Sequence, residues 1–365
     1  MAKSLKTHAQ KKRVLYILME YPQLSQTYIS NEISALQDDY EIEVATMREG
    51  STPTPAGAPY LVSSTLSEVV AKVKSFKPHV LHGHWTSTIP LMDLLSRKTG
   101  VPYTVRAHSF DTLMDGKRAN LLDMVKNHIR ARYRYSAISA TDLVKFTAPY
   151  MRRDNCLGVL NFPFSRQRLL EHGAPEEKLH DVFPVVNFDR FYNRDPNGDG
   201  VMNIGACIPK KRVEDFIDLA SMEVGRPFRL YPIGYETERI RDYNISKGDP
   251  VEFMPLKRPE EMPGEYKRHQ WLVYTGLVDR KSHLGWSMAV AEAQASGVGV
   301  CYPNIRDDLA DYVGGAGYIY NSIDEVREIV SEPVPDDIRE KGFSQAKKSD
   351  INVHKKNLTD IWATA

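Results

Sequence analysis

Gly285-Trp286-Ser287-Met288-Ala289-Val290-Ala291-Glu292-Ala293-Gln294-Ala295-Ser296-Gly297-Val298-Gly299-Val300 reads as a small-residue loop, a short helix and a buried strand. One acid, Glu292, sits inside the helix, and its flanks Ala291, Ala293 and Ala295 are too small to hide it. A carboxylate beside a glycine loop and near a helix N-terminus is placed to accept hydrogen bonds from sugar hydroxyls.

Outward from this stretch the chain repeats the same strand-then-helix order. Upstream, Val201–Gly205 begins a series that continues through a helix over 213–222, strands at 228–233 and 251–253, a helix over 260–268 and a strand at 271–275. Downstream come a helix over 323–330 and a polar helical tail. The hydrophilic run 193–200 reads as an interdomain linker. Before it, Arg13–Met19 is an apolar run fit for a buried parallel strand. Turn chemistry, a helix over 30–37 and further β-α units follow it. The pattern predicts an α/β protein of two doubly wound parallel sheets facing across a cleft, with ligands at the carboxyl ends of the strands. The expected domains are 1–195 and 200–340, with a helical tail at 341–365 packing back toward the first domain.

The 365 residues suit two domains of ordinary size. Hydrophobic content of 42% with 26% charged residues predicts a soluble globular protein. A net charge of +1 favours neither nucleic acid nor an acidic partner. Cys156, Cys207 and Cys301 form no C-x-x-C pair, so neither zinc nor a disulfide framework is expected, and a reducing cytoplasm fits best. The basic N-terminus lacks the apolar core of a signal peptide. It reads as a solvated tail, or as a weak contact with the anionic inner face of a membrane, and the basic aromatic run 126–135 as a solvated face, or as a docking site for a lipid-linked or anionic acceptor.

Several loops carry candidate chemistry. Ser25 or Thr27 can cap the helix that follows, and a helix start at a strand end can bind an anion. His82 and His84 alternate like strand residues. With no cysteine or acid beside them they are not read as metal ligands. His108 stands where the strand Tyr103–Val105 stops and can donate to a hydroxyl or carbonyl in the cleft. Lys210, Lys211 and Arg212 sit at a helix start, tolerable where an anion lies between them. Lys211 could stabilise charge on a departing diphosphate.

These segments together resemble retaining GT-B glycosyltransferases of the family 4 type that build bacterial surface polysaccharides. The first loop, Tyr21-Pro22-Gln23-Leu24-Ser25-Gln26-Thr27-Tyr28-Ile29-Ser30-Asn31-Glu32, is similar to F-P-x-x-S-E-T-F-I-x-x-E, with Gln26 in place of the acid. Arg106-Ala107-His108-Ser109-Phe110-Asp111 is similar to T-A-H-x-x-D, and Gly205–Val213 to G-R-x-x-x-K-K-G. The stretch from Leu284 to Val300 is similar to the E-x₇-E donor motif. Further positions depart: Ala206 stands for the Arg, Arg212 for the closing Gly, and Leu284 for the first acid.

The resemblance implies transfer of a sugar from a nucleotide-diphosphate sugar, UDP or GDP, to a saccharide or lipid-linked hydroxyl acceptor, without a metal or other cofactor. It implies an acceptor domain first and a nucleotide-sugar domain second. His108, Lys211 and Glu292 would carry the chemistry, Glu292 on the ribose and His108 on the donor sugar. Ser25, Gln26 and Thr27 would face the phosphates, with Arg212 a stand-in for the missing Arg. Gly234 and Leu256 would approach the nucleotide and its base, and Gly285, Trp286, Ser287, Met288 and His283 the donor. His84, Arg106 and Asp111 would lie on the acceptor side, Asp111 holding its loop. Ala206 and Leu284 also motivate an alternative, a catalytically impaired relative that binds nucleotide sugar or a partner. A GT-B epimerase ranks below both.

Overall fold

The computed structural model describes residues 11–51, 53–113, 143–277 and 284–365. The basic run 126–135, His283 and most of the basic N-terminus lie outside them.

The apolar run of the first strand decides the first domain. Val14, Leu15, Tyr16, Ile17 and Leu18 are all buried, as a strand covered on both faces requires. This is β1 (Lys12–Glu20), an inner strand of a wholly parallel sheet with β2 (Tyr40–Arg48), β3 (Tyr60–Val62), β4 (Val80–His84), β5 (Tyr103–Arg106), β6 (Cys156–Asn161) and β7 (Leu179–Asp181). Its strand order is β3-β2-β1-β4-β5-β6-β7.

The second sheet comprises β8 (Gly200–Ala206), β9 (Phe228–Ile233), β10 (Val251–Phe253), β11 (His269–Val273), β12 (Gly299–Pro303) and β13 (Tyr318–Tyr320), in the order β10-β9-β8-β11-β12-β13. It too is parallel throughout. In both sheets the winding reverses beside the first strand, between β1 and β4 and between β8 and β11. That switch point opens a crevice at the carboxyl ends of the strands.

The Met288–Ala295 helix is apolar on nearly every side and accordingly buried: Val290, Ala291, Ala293, Gln294 and Ala295 lie in the core. The Asp336–Ala346 helix packs on it. The predicted boundary at 341 therefore falls inside a helix that lies on the second domain. The chain crosses back near Asp350, where Val186 and Asp350 form an isolated bridge. The following helix, Ile351–Trp362, lies against the Thr27–Leu36 helix, with Leu358, Ile361 and Trp362 in the first domain's core. A second joint is aromatic. Phe162 and Phe183 from the first half meet Trp286 at ring-centre distances of 6.1 and 5.0 Å.

Candidate active site

The two crevices face one another across a cavity of about 290 Å³. The first domain contributes Leu24, Ser25, Thr27 and Asn31; the second contributes Lys211, Ser287, Met288 and Glu292. Neither Ser25 nor Thr27 caps the Thr27–Leu36 helix. Gln26 holds that position without a side-chain hydrogen bond, which leaves the two hydroxyl residues on the cavity wall. Gln26 does not line the cavity.

Glu292 is the cavity's acid. Its Oε2 accepts from Tyr266 Oη at 2.7 Å, and among the described residues Oε1 has no partner. Burial raises its carboxyl above the usual range, while the Tyr266 hydroxyl and the Arg190 charge pull the other way. The small alanine flanks thus do not leave it bathed in water; they seat it in a desolvated wall. Tyr266, fully buried, orients this acid, and sequence reading did not single it out.

Lys211 reaches the cavity because Gly205 makes room. A Cβ on Gly205, whose φ is +127°, would stand 2.8 Å from Lys211 Nζ. The ammonium lies 4.5 Å from the centre of the Tyr274 ring, and among the described residues no carboxylate pairs with it. Thr275 Oγ1 donates to the Lys211 carbonyl at 2.7 Å and fixes the turn. Arg212 goes elsewhere. It has a left-handed backbone at φ 43° and donates to both oxygens of Asp215, so it is exposed and outside the cavity. The cation that enters instead is Arg190. Asn187 caps its short helix through a bond from Arg190 N at 3.1 Å. Arg190 Nη2 is buried without a hydrogen bond, and its nearest carboxylate, on Glu260, is 3.8 Å away. The only sequence signal for Arg190 was its place in the run Asn187–Phe191.

Leu256 lines the cavity as an exposed apolar side chain. Gly234 lies just outside, at φ +104°, letting the turn after β9 pass close to Cys207. Ala206 also lines the cavity, whereas Leu284 is buried in the core and contributes nothing to it. Trp286 is likewise a packing residue. It stacks on Tyr312 at 4.8 Å and 6° and donates from Nε1 to Asp308 Oδ2 at 2.7 Å. Gly285 abuts the first domain, since a Cβ there would collide with Ser109.

On the first domain's side, the residues read as facing an acceptor turn inward. Arg106 is buried, donating to His354 Nδ1 at 2.9 Å and to the Phe183 carbonyl at 3.0 Å. His84 is wholly buried. Asp111 holds its loop, accepting from His108 N at 2.7 Å and from Thr86 N. Burial raises its carboxyl to about 7, against these donors. His108 is partly exposed, and it does not line the cavity.

His82 and His84 do have an acidic neighbour. Glu32 comes from the first loop's helix, with Oε1 3.2 Å from His82 Nε2 and 3.3 Å from His84 Nε2. The three donor atoms lie within 4.8 Å, a spacing able to hold a metal ion. Hydrogen bonds account for most of these atoms, but His82 Nε2 is buried without one. Glu32 accepts from Tyr16 Oη at 2.7 Å and from His354 Nε2, while His82 Nδ1 meets Thr104 Oγ1 at 2.8 Å. Burial alone would raise the Glu32 carboxyl, but His354, His84 and His82 facing it hold it well below the usual range. Sequence spacing could not reveal this cluster, because Glu32 and His354 are 322 residues apart.

No family model matches the sequence, and no curated protein does. Solved structures match the fold. Anabaena Alr3699/HepE in complex with UDP-glucose superposes with a TM-score of 0.72 at 11% identity, over 97% of this chain and all of that one. The lipopolysaccharide outer core galactosyltransferase WaaB, in its apo form, gives 0.62 at 14% identity over 96% and 99%. Sucrose-phosphate synthase from Thermosynechococcus elongatus gives 0.64 at 10% over 97% and 99%. The fold is GT-B: two Rossmann-like parallel-sheet domains with a cleft between them.

Proposed function

We propose that the chain is a glycosyltransferase that moves a sugar from a nucleotide-diphosphate donor, a UDP- or GDP-sugar, to a hydroxyl acceptor with retention of configuration. The acceptor is a growing polysaccharide or a lipid-linked saccharide. The observation that carries this reading is the pairing, in one interdomain cavity, of Glu292 with two cations that no carboxylate holds closely, Lys211 and Arg190. A carboxylate with one free oxygen suits ribose hydroxyls. The cations suit a diphosphate, whose charge grows as the sugar leaves, and preorganised cations are strongest in a water-poor site. Protein cations can do this work, so the reading invokes no metal. The likeness to a structure solved with UDP-glucose supports the choice of donor.

The test is nucleotide-sugar binding and transfer by the purified protein. UDP and UDP-glucose should raise the melting temperature, since a ligand at a hundredfold excess over its dissociation constant stabilises by about 2.7 kcal/mol. Lys211→Ala and Glu292→Gln should each weaken binding about tenfold or more, the scale of one hydrogen bond to a charged group. Unchanged binding in both variants, with no transfer from any UDP- or GDP-sugar, would sink the reading.

A second reading rests on Ala206 and Leu284. With Leu284 in the core, the second domain offers no acid from that position to the donor sugar. A protein that binds nucleotide sugar without transferring it would bind UDP-glucose and release neither UDP nor glycoside, in single-turnover assays with saccharide acceptors.

A further inference from the structure

Glu32 is a buried carboxylate, 1% exposed, and among the described residues no lysine or arginine pairs with it. Buried charges are held by an opposite charge or by a metal ion. The groups that face Glu32 are the imidazoles of His82, His84 and His354 and the hydroxyl of Tyr16. Arg106, the cluster's buried cation, is turned to His354 and to the Phe183 carbonyl, so a ring stands between its charge and the carboxylate.

Three atoms converge on one point. Glu32 Oε1 lies 3.2 Å from His82 Nε2 and 3.3 Å from His84 Nε2, and all three lie within 4.8 Å of one another. A metal ion that holds nitrogen and oxygen at roughly 2.0–2.1 Å in a tetrahedron sets its ligands about 3.3 Å apart. Both separations from Oε1 match that edge. They serve hydrogen bonding poorly. His84 Nε2 makes one long bond to Oε1, and His82 Nε2, wholly buried, makes none among the described residues. A buried polar atom without a partner needs an account, and a bound ion is one.

The outward atoms of the same side chains are already held. His82 Nδ1 meets Thr104 Oγ1 at 2.8 Å, His84 Nδ1 meets His108 Nε2 at 3.1 Å, and Glu32 Oε2 meets His354 Nε2. Metal-bound imidazoles are oriented in this way, through the nitrogen that does not touch the ion. Ligation by Nε2 puts each ring proton on Nδ1, where the outward partner can accept it. Thr104 Oγ1 also accepts from Trp362 Nε1 at 2.9 Å, and its two lone pairs serve both donors.

We propose that Glu32 Oε1, His82 Nε2 and His84 Nε2 are the ligands of a structural zinc ion in the first domain. Two imidazoles and a carboxylate suit zinc, whereas magnesium and calcium take oxygen ligands. Tyr16 Oη, 2.7 Å from Glu32 Oε1, is the chain oxygen at hand for a fourth position. The ion stands apart from the transfer chemistry, since none of the three ligands lines the interdomain cavity. Its effect is mechanical. Glu32 belongs to the Thr27–Leu36 helix, whose first residue Thr27 lies on the cavity wall, and His82 and His84 belong to β4. The ion ties that helix to the sheet.

The test is the metal content of the full chain, expressed in minimal medium with and without added zinc and then desalted. One zinc per chain is expected from the supplemented culture, with a melting temperature roughly 3–6 °C above that of the zinc-free chain, the scale of a tightly held ligand. Cobalt in place of zinc should give the strong visible absorption of a four-coordinate site. His82→Gln should weaken zinc binding about tenfold or more. His180→Gln changes an imidazole outside the cluster and should leave one zinc per chain. If His82→Gln does not fold, zinc-edge X-ray absorption of the wild type decides, because it counts the imidazoles at the ion. A wild-type chain that holds no zinc, a folded His82→Gln that keeps it fully, or an absorption spectrum without two imidazoles overturns the proposal and leaves a cluster held by hydrogen bonds alone.

Discussion

Tyr266 shows how one side chain can set the chemistry of another. Its hydroxyl is the one protein donor to Glu292 among the described residues, and it opposes the upward push of burial on that carboxyl. Tyr266→Phe leaves Oε2 without its donor, at a cost of about 1.5–3 kcal/mol, typical of a hydrogen bond to a charged group. The Glu292 carboxyl then rises further. Because binding through Glu292 needs the ionised form, affinity for a UDP-sugar falls as pH drops through that raised value, and the fall should begin at higher pH in the variant. Isothermal titration across pH measures it. Arg190→Met tests the second cation: nucleotide affinity should drop about tenfold with little change in melting temperature, since Nη2 makes no hydrogen bond that folding would lose. Glu292 and Lys211, which line the cavity, stood out in the sequence because Glu292 is the one acid of a small-residue helix and Lys211 stands at a helix start. Arg190 and Tyr266 did not. Each comes from an element with no motif of its own, and tertiary packing alone brings it to the cavity.

Among the elements, the strands were the most legible. Runs such as Val14–Leu18 and Phe228–Ile233 are short, apolar and bounded by turns, so their pattern depends on burial alone. The Thr27–Leu36 helix was harder. It begins three residues before the predicted start, because the turn ahead of it winds directly into the helix. The Ile351–Trp362 helix looked like a polar tail, yet its His354 and Trp362 complete the first domain's polar cluster. That placement makes a pH prediction. Burial lowers His84 and His354 to about 4, against an ordinary value near 6.5, with Glu32, His82, Arg106, Tyr16 and His108 the charged or titratable groups around them. The unfolded chain therefore binds more protons than the native one between those values. Their contribution is fully present above about 6.5 and is lost as pH falls toward 4. The melting temperature should decline across that window, and less steeply in His354→Gln, which cannot titrate.

Taken as a whole, the molecule is joined in more places than a two-domain plan requires. Phe162, Phe188 and Phe191 share one core with Trp286 and Tyr302 of the second domain, and the last helix returns to the first. Gly285 lies against Ser109 at the mouth of the cleft. Calorimetry should accordingly show one unfolding transition for the intact chain. Removing residues 351–365 should lower the melting temperature and split the transition in two, as each sheet unfolds on its own. Gly285→Ala should force the two loops apart, weakening nucleotide binding more than it weakens the fold.

The reach of Glu32 to His354 also has a consequence for synthesis. A ribosome makes the first domain's strands before those of the second, and domains generally begin to fold in that order. Here the carboxylate at that domain's centre must wait for a partner 322 residues later in the chain. Until His354 emerges, Glu32 and Arg106 are two buried charges without the ring that links them. A nascent chain stalled short of that point holds a nearly complete sheet with an unfinished interior, the state most exposed to proteolysis and to chaperones.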